Sequence, residues 1–284
     1  MQFRNASDVR QLTPEWRGPR SADGRPQVSE EILRRMAQVT TEEAWGVIER
    51  QGYKFQFEGG LHALHPDRIL VGRAVTAVMV PKRPDLHDYL LEYGQSQEGR
   101  RGFFNTWVID ELQTDDVLVV DMFDKVFEGT FSGGNLSTAV AARTGRGQVI
   151  YGGIRDLDQI QGIDHLQTYY RGIDPTPIRE VTLVGINVPC RIGGAIVMPG
   201  DVVLGTPSGL LFIPPQWAEA CCEQSERTRL RDQFGFQRIR EGTYTAEQID
   251  RKWAPEIEAD FHRWRRTNTP EELKGLTWDE GEGR

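Results

Sequence analysis

The sequence has no apolar run near the roughly 18 residues that a membrane-spanning helix needs. Its longest runs, such as residues 117–120, are strand-sized. Cysteine is scarce: three residues, two of them adjacent at Cys221 and Cys222, provide neither a disulfide framework nor a Cys-x-x-Cys zinc site. Histidine is scarce too. His62 and His65 stand three apart with no third ligand at suitable spacing, and His165 and His262 read as structural. Positive charge is in deficit, with 34 Lys and Arg against 42 Asp and Glu, a formal net charge of −8. Such a chain repels phosphate backbones on average, which argues against nucleic acid as a partner. Residues 1–18 hold no hydrophobic stretch that could serve as a secretory signal. There is no fixed-period repeat and no low-complexity tract. A hydrophobic share of 38% and a charged share of 27% lie in the globular range. These absences predict a cytoplasmic globular protein of a reducing compartment, with no membrane partner.

Residues 1–28 are rich in Pro, Gly, Ser and Arg without apolar periodicity and read as an irregular N-terminal arm. Ser29 is placed to cap a helix that turns Ile32, Leu33 and Met36 to one side. Thr40 and Glu43 have capping-box spacing for a second helix, with Ala44, Val47 and Ile48 inward. From Ile69 the pattern changes to the alternation of a strand, through Val71, Val75, Ala77 and Met79 to Pro81. The continuous run at 117–120 suits a strand covered on both faces. Leu136, Ala139 and Val140 have helical spacing that ends at Gly145 and Gly147, and residues 148–151 form the next strand. Strand, helix, strand is the βαβ unit of a layered α/β domain. Short strands follow at 181–184, 195–198, 202–204 and 210–213. After Pro214-Pro215, mixed charges interspersed with Trp217, Trp253, Trp264 and Trp278 predict a helical extension packed on the parent domain or on a neighbouring subunit. The expected division is an arm at 1–28, a catalytic domain at 29–216 and an extension at 217–284.

Chemistry concentrates in residues 131–160. Gly133 and Gly134 stand directly before a helix, where unobstructed N–H groups and the helix dipole can hold a carboxylate or phosphate. Arg155 and Asp156 follow the strand at 148–151 and Gly152-Gly153. They should lie past its C-terminal end, where ligands collect in open α/β layers. Arg155 offers a planar fork for a carboxylate. Asp156 offers hard oxygens suited to a Mg²⁺ or Mn²⁺ that keeps several waters. Taken singly, each feature has an ordinary reading: a tight connection, and a surface ion pair.

Gly134, twenty residues, then Arg155-Asp156: this spacing resembles the signature of the metal-dependent class II pyruvate aldolases. That family comprises 4-hydroxy-4-methyl-2-oxoglutarate and 4-carboxy-4-hydroxy-2-oxoadipate aldolases, together with the fold-sharing RraA-like regulators of ribonuclease E. The likeness extends to LVGRAVTAVMV at 70–80, VLVVD at 117–121 and VMPGDVVLGTPSGLLFIP at 197–214, covering about residues 29–216. It implies an α/β fold, a layered α/β/β/α sandwich, assembled as a homotrimer or homohexamer with sites near subunit boundaries. It also implies a small carboxylic acid substrate. Its carboxylate would be held by Arg155 and the turn formed by Gly133, Gly134, Asn135, Leu136 and Ser137, and Asp156 would anchor a divalent cation, Mg²⁺ or Mn²⁺. The cation would stabilise the enolate formed as a C–C bond breaks.

The sequence departs from the family pattern at Asn135, Gln159 and Thr206, where acids are common. The stretch MFDKVFEGTFSGG after Asp121 is longer than the family's and carries Asp124, Lys125 and Glu128. Asp121, Lys125 and Glu128 are therefore expected to join Arg155 as the catalytic set, the alternative being a solvated charged loop. Segment 85–116 is also long. His87 is expected on a surface helix there, while Phe103, Phe104 and Trp107 are expected in the core. The expected function is a divalent-metal-dependent lyase for a 2-oxo acid (aldol cleavage or decarboxylation) or a sugar acid (dehydration). The alternative is a non-catalytic, protein-binding regulator of a ribonuclease.

Overall fold

A computed structural model describes residues 5–276 and residue 278, apart from the side chain of residue 272. In chain order the strands are β1 (Phe57–Glu58), β2 (His62–Ala63), β3 (Leu70–Pro81), β4 (Asp116–Ser132), β5 (Gly147–Ile154), β6 (Gln167–Ile173), β7 (Val181–Ile186), β8 (Cys190–Ile192), β9 (Ala195–Val197), β10 (Val202–Thr206) and β11 (Gly209–Ile213). The α-helices are α1 (Ala6–Leu12), α2 (Glu30–Met36), α3 (Thr41–Arg50), α4 (Pro84–Gln97), α5 (Phe104–Asp110), α6 (Gly134–Thr144), α7 (Leu157–Gln161), α8 (Ala218–Arg240), α9 (Ala246–Ile249) and α10 (Pro255–Asn268). One mixed sheet has the order β1-β11-β10-β3-β4-β5-β6-β2, with β7 pairing the far end of β3. Its centre, β3 to β6, is parallel, and β8–β9 form a separate hairpin.

The period of two along β4 sorts its run into two layers. Leu118 and Val120 join Val75, Ile150, Phe104 and Val140 beneath α5 and α6. Val117 and Val119 turn the other way, with Ala74 and Val149, against Val203, Leu210, Phe212 and the β8–β9 hairpin. On the outer face of β10 and β11, Val202, Leu204, Leu211 and Ile213 meet Leu33, Met36, Ala44 and Ile48 of α2 and α3, with Cys221 and Cys222 of α8. The single sheet thus folds over on itself, and three apolar layers separate helix, sheet, sheet and helix. That is the expected α/β/β/α sandwich. Ser29 caps α2, and Thr40 with Glu43 closes a capping box on α3. Gly145 ends α6 at φ 65°, a left-handed turn that glycine adopts freely.

The structure differs from the sequence expectation in three places. The arm is not wholly irregular: Asn5 and Asp8 form a capping box that starts α1, while residues 1–4 lie outside the described residues. The arm is pinned by Arg25, whose guanidinium grips Asp116 at 2.9 and 3.0 Å and Asp23 at 2.7 Å. The stretch after Asp121 is not a loop. β4 runs on to Ser132 as a bulged ribbon whose register against β5 shifts after Asp121, Lys125 and Thr130. Phe123, Asp124 and Glu128 take positive φ along it. His87 is buried rather than on a surface, edge-on to Phe104 and 3.1 Å from the Thr182 hydroxyl. Phe104 and Trp107 enter the core, with Phe103 packed against it. In the C-terminal region, α8 leaves the main core at Cys222 and carries Leu230 and Phe234 into a second apolar cluster with Trp253, Phe261 and Trp264.

The Pro199-Gly200-Asp201 turn buries an acid. Asp201 accepts the Met198 N–H at 2.8 Å, and burial pushes its carboxyl up to about 8. The folded state therefore holds a proton that the unfolded state, near pKa 3.9, releases. Its stabilising contribution is present below about pH 4 and is lost as pH rises through about 8. In urea denaturation between about pH 5 and about pH 8.5, the wild type should lose stability relative to Asp201→Asn. Parallel pH profiles for the two proteins would refute a neutral Asp201.

Candidate functional site

The end of β4 runs straight into α6 through Gly133, and the end of β5 lies beside it, with Ser132 opposite Ile154. A Cβ at Gly133 would fall 2.3 Å from Asp156 Oδ2, and one at Gly134 would fall 2.2 Å from Gln159 Oε1. Glycine at both positions leaves the space in which the Asp156 and Gln159 side chains lie against the turn. After β5, the Arg155 N–H donates to the Ser132 carbonyl at 3.1 Å. Asp156 then takes the left-handed conformation, φ 58° and ψ 42°, which aspartate tolerates better than most residues. That reversal brings its carboxylate back onto the Gly134 N–H, Oδ2 accepting at 3.1 Å, with Arg155 Nε 3.7 Å away.

A cleft of about 440 Å³ opens here, lined by Gly133, Gly134, Asn135, Leu136, Arg155, Asp156 and Gln159. Arg155 and Asp156 keep 40% and 37% of their side chains exposed, so both can meet a ligand. The free amides are fewer than the sequence suggested. The Gly134 N–H is taken by Asp156, and the Ser137 N–H donates to the Gly133 carbonyl at 3.0 Å as the helix begins. The Ser137 hydroxyl is buried and accepts from Gln148 Nε2 at 3.0 Å, so Ser137 reaches the cleft by neither group. The first turn of a helix leaves its N–H groups without intrahelical partners. At α6 the Asn135 and Leu136 amides are the ones left for an anion, at the positive end of an 11-residue helix.

Of the expected catalytic set, Arg155 alone lines the cleft. Asp121 is two residues beyond Val119 and shares its face, toward the interior between the sheets and away from α6. There it accepts the Phe123 N–H at 2.8 Å, and burial raises its carboxyl pKa. Lys125 sits at a bulge opposite Gly152. The Glu128 N–H donates to Thr176 Oγ1 at 3.0 Å, and its carboxylate faces Arg179 at 3.5 Å. Asp124 pairs with Arg171 at 2.6 Å. Thr206, where the family pattern has an acid, is buried 2.7 Å from the Thr41 hydroxyl and is not a lining residue.

Other lining residues were not anticipated: Asn105, Thr130, Phe131, Pro177 and Ile178. Asn105 is buried on α5, its amide donating to the Phe131 carbonyl and accepting the Thr106 N–H, both at 3.0 Å. Nothing in the local pattern around Asn105 marks it; only the docking of α5 over the end of β4 does. Pro177 and Ile178 follow β6 on a loop tied down by the Asp174 N–H to the Ile154 carbonyl and by the Thr130 hydroxyl to the Thr176 carbonyl.

Among the described residues no group of three or more His, Cys, Asp or Glu side chains is placed to hold a metal. The cleft instead combines the Asp156 carboxylate with the amide oxygens of Gln159 and Asn135. An all-oxygen set with one carboxylate fits a Mg²⁺ or Mn²⁺ that keeps most of its waters, and not a metal that needs thiolate or imidazole.

The profile of the family described as RraA-like, Aldolase/RraA, matches residues 28–212. The chain belongs to the RraA-like family. An Azotobacter vinelandii protein with the provisional name 4-hydroxy-4-methyl-2-oxoglutarate aldolase is 32% identical over 118 residues, 39% of this chain and 68% of its own. A Halalkalibacterium halodurans protein with the same provisional name is 26% identical over 126 residues, 43% of this chain and 58% of its own. The chain thus spans about three-fifths of the length of the curated relatives it matches. Among solved structures, a Pseudomonas syringae protein of no assigned role has a TM-score of 0.64 at 20% identity, covering 83% of this chain and 99% of its own. Streptomyces coelicolor RraAS2, described as an unusual member of the RNase ES inhibitor family, has a TM-score of 0.62 at 24% identity, covering 74% and 96%. At these identities the solved structures show the RraA-like fold alone.

Proposed function

We propose that this RraA-like protein is a divalent-metal-dependent lyase acting on a small 2-oxo acid, with decarboxylation favoured over aldol cleavage. The observation that carries the reading is the meeting of the Arg155 guanidinium, the Asp156 carboxylate and the Asn135 and Leu136 amides in one cleft. The provisional aldolase names of its relatives agree with it. Arg155 and the two amides bind and orient the substrate carboxylate. Asp156, steered by the Gly134 N–H, would hold Mg²⁺ or Mn²⁺ beside the amide oxygens of Gln159 and Asn135. The cation, when bound, supplies a Lewis acid for negative charge developing on the keto oxygen. Aldol cleavage also needs a base at the substrate hydroxyl, whereas loss of CO₂ needs only a proton delivered to carbon afterwards. Asp156 is the one carboxylate among the lining residues, and amides stand at Asn135 and Gln159, which favours the less demanding reaction. A homotrimer or homohexamer belongs to the proposal. Exposed Phe127 on the bulged ribbon and Ile173, opposite Ile154, would be covered by a neighbour near the cleft mouth.

The test is oxaloacetate with Mg²⁺ or Mn²⁺, with and without chelator, against a background of metal alone. Pyruvate release above that background, abolished by chelator, is the expected result. Inertness toward oxaloacetate and a panel of oxo and sugar acids would overturn the lyase and favour a protein-binding regulator.

A further inference from the structure

The accessible side chains that line the cleft fall into two sets. The polar set gathers at the turn. Asp156 Oδ2 accepts the Gly134 N–H at 3.1 Å, Arg155 Nε lies 3.7 Å from that oxygen, and a Cβ on Gly133 would fall 3.0 Å from the same Nε. The apolar set is Leu136 of α6 with Pro177 and Ile178 of the loop after β6, each keeping part of its surface accessible. Leu136 and Ile178 also pack against the main core.

That loop is fixed by its backbone. The Asp174 N–H donates to the Ile154 carbonyl at 3.1 Å, the Thr176 N–H to Asp174 Oδ1 at 3.0 Å and the Arg179 N–H to the Glu128 carbonyl at 2.8 Å. The ring of Pro177 locks its own φ near about −65°. A wall already held in place costs little ordering when a ligand covers it.

Charge sets the second constraint. Arg155 is the one cationic side chain among the lining residues. Arg179, next to Ile178, faces Glu128 at 3.5 Å, Arg171 pairs with Asp124, and Lys125 does not line the cleft. One guanidinium with the Asn135 and Leu136 amides matches one carboxylate. A second carboxylate that stayed on the ligand would meet apolar side chains and no cationic one, at a desolvation cost. The cleft volume of about 440 Å³ falls within the range of sites for drug-sized ligands, which leaves room beyond a three-carbon oxo acid.

We propose that the cleft selects a 2-oxo acid with an apolar, branched or aromatic tail over one with a second lasting carboxylate. The proposal rests on the 2-oxo acid reading above and names the substrate class within it: an oxaloacetate alkylated at C3. The C1 carboxylate goes to Arg155 and the tail to Leu136, Pro177 and Ile178. The C3–C4 bond breaks with its electron pair left on the oxo acid, CO₂ departs, and a proton from solvent joins C3. The carboxylate lost is the one for which the cleft holds no cationic side chain, and the tailed 2-oxo acid remains.

The experiment titrates the full chain, in Mg²⁺, with 2-oxo-4-methylpentanoate, pyruvate and 2-oxoglutarate by calorimetry. The first should bind about tenfold more tightly than pyruvate, as three added carbons are partly withdrawn from water. 2-Oxoglutarate, charged at its far end, should bind no more tightly than pyruvate. Ile178→Ala should cut the preference for the tailed acid to about threefold. Pro177→Lys, at an exposed position, should raise 2-oxoglutarate affinity about threefold and serves if the Ile178 variant does not fold. Pyruvate binding as tightly as the tailed acid, or 2-oxoglutarate binding more tightly than it, would overturn the proposal and leave the lyase standing. Preference for the tailed acid without turnover of oxaloacetate would keep the selectivity and end the lyase. Selectivity unchanged in the variants that fold would overturn the proposal, and no binding of any of the three would overturn it together with carboxylate capture.

Discussion

Arg155→Ala is expected to lower kcat/KM toward oxaloacetate by about 100- to 10,000-fold, with little change in stability. Two charge-assisted hydrogen bonds to a carboxylate, at about 1.5–3 kcal/mol each, account for that range. In the folded chain Arg155 has one ion-pair contact, at 3.7 Å to its neighbour and partly exposed, of the kind whose loss costs about 0–1 kcal/mol. Activity should therefore fall while the thermal midpoint holds. Asp156→Asn separates the roles further. The amide can still accept the Gly134 N–H but no longer offers a charged oxygen, so metal-dependent turnover should be lost with the cleft intact. Full activity in Arg155→Ala would end the case for carboxylate capture at this turn.

Arg25→Met is expected to destabilise the fold by about 3–5 kcal/mol, read as a lower midpoint in urea. Arg25 and Asp116 each keep 2% of their side chains exposed, joined by bonds of 2.9 and 3.0 Å. Burial alone would lower the Arg25 pKa, but Asp116 and then Asp23 outweigh it, so the guanidinium stays charged. Removing it leaves a buried carboxylate with the Gln113 N–H at 2.9 Å and Arg73 Nε at 3.8 Å, too little to replace a bidentate cation. Pairing Arg25→Met with Asp116→Leu should recover much of the loss, because the lone charge is then gone. A single variant as stable as the wild type would show that the arm contributes nothing to the domain.

The layers were largely legible because they follow local periodicity. The alternation from Val71 to Met79 and the two-faced run at 117–120 assign β3 and β4, and the two capping signals place α2 and α3. The positive φ values along 123–128 left no comparable trace, since none of them falls on glycine. The register shifts after Asp121 and Lys125 redirect the later side chains, so the face that Lys125 and Glu128 present could not be read from alternation along the strand.

By itself the sequence pattern determined a layered α/β domain, the α/β/β/α sandwich following from the family resemblance, and the convergence of the Gly133-Gly134 turn with Arg155-Asp156. Both depend on neighbouring residues: strand alternation for the first, and for the second two adjacent parallel strand ends with glycine where a Cβ would collide. The tertiary structure decided which groups face the cleft. Asp121 was turned to the opposite face, Ser137 was sealed beneath α6, and Asn105 came in from 26 residues before Phe131. It also brought the loop of Pro177 and Ile178 to the same cleft. Those outcomes depend on how separate elements dock, which the pattern along any single element does not encode.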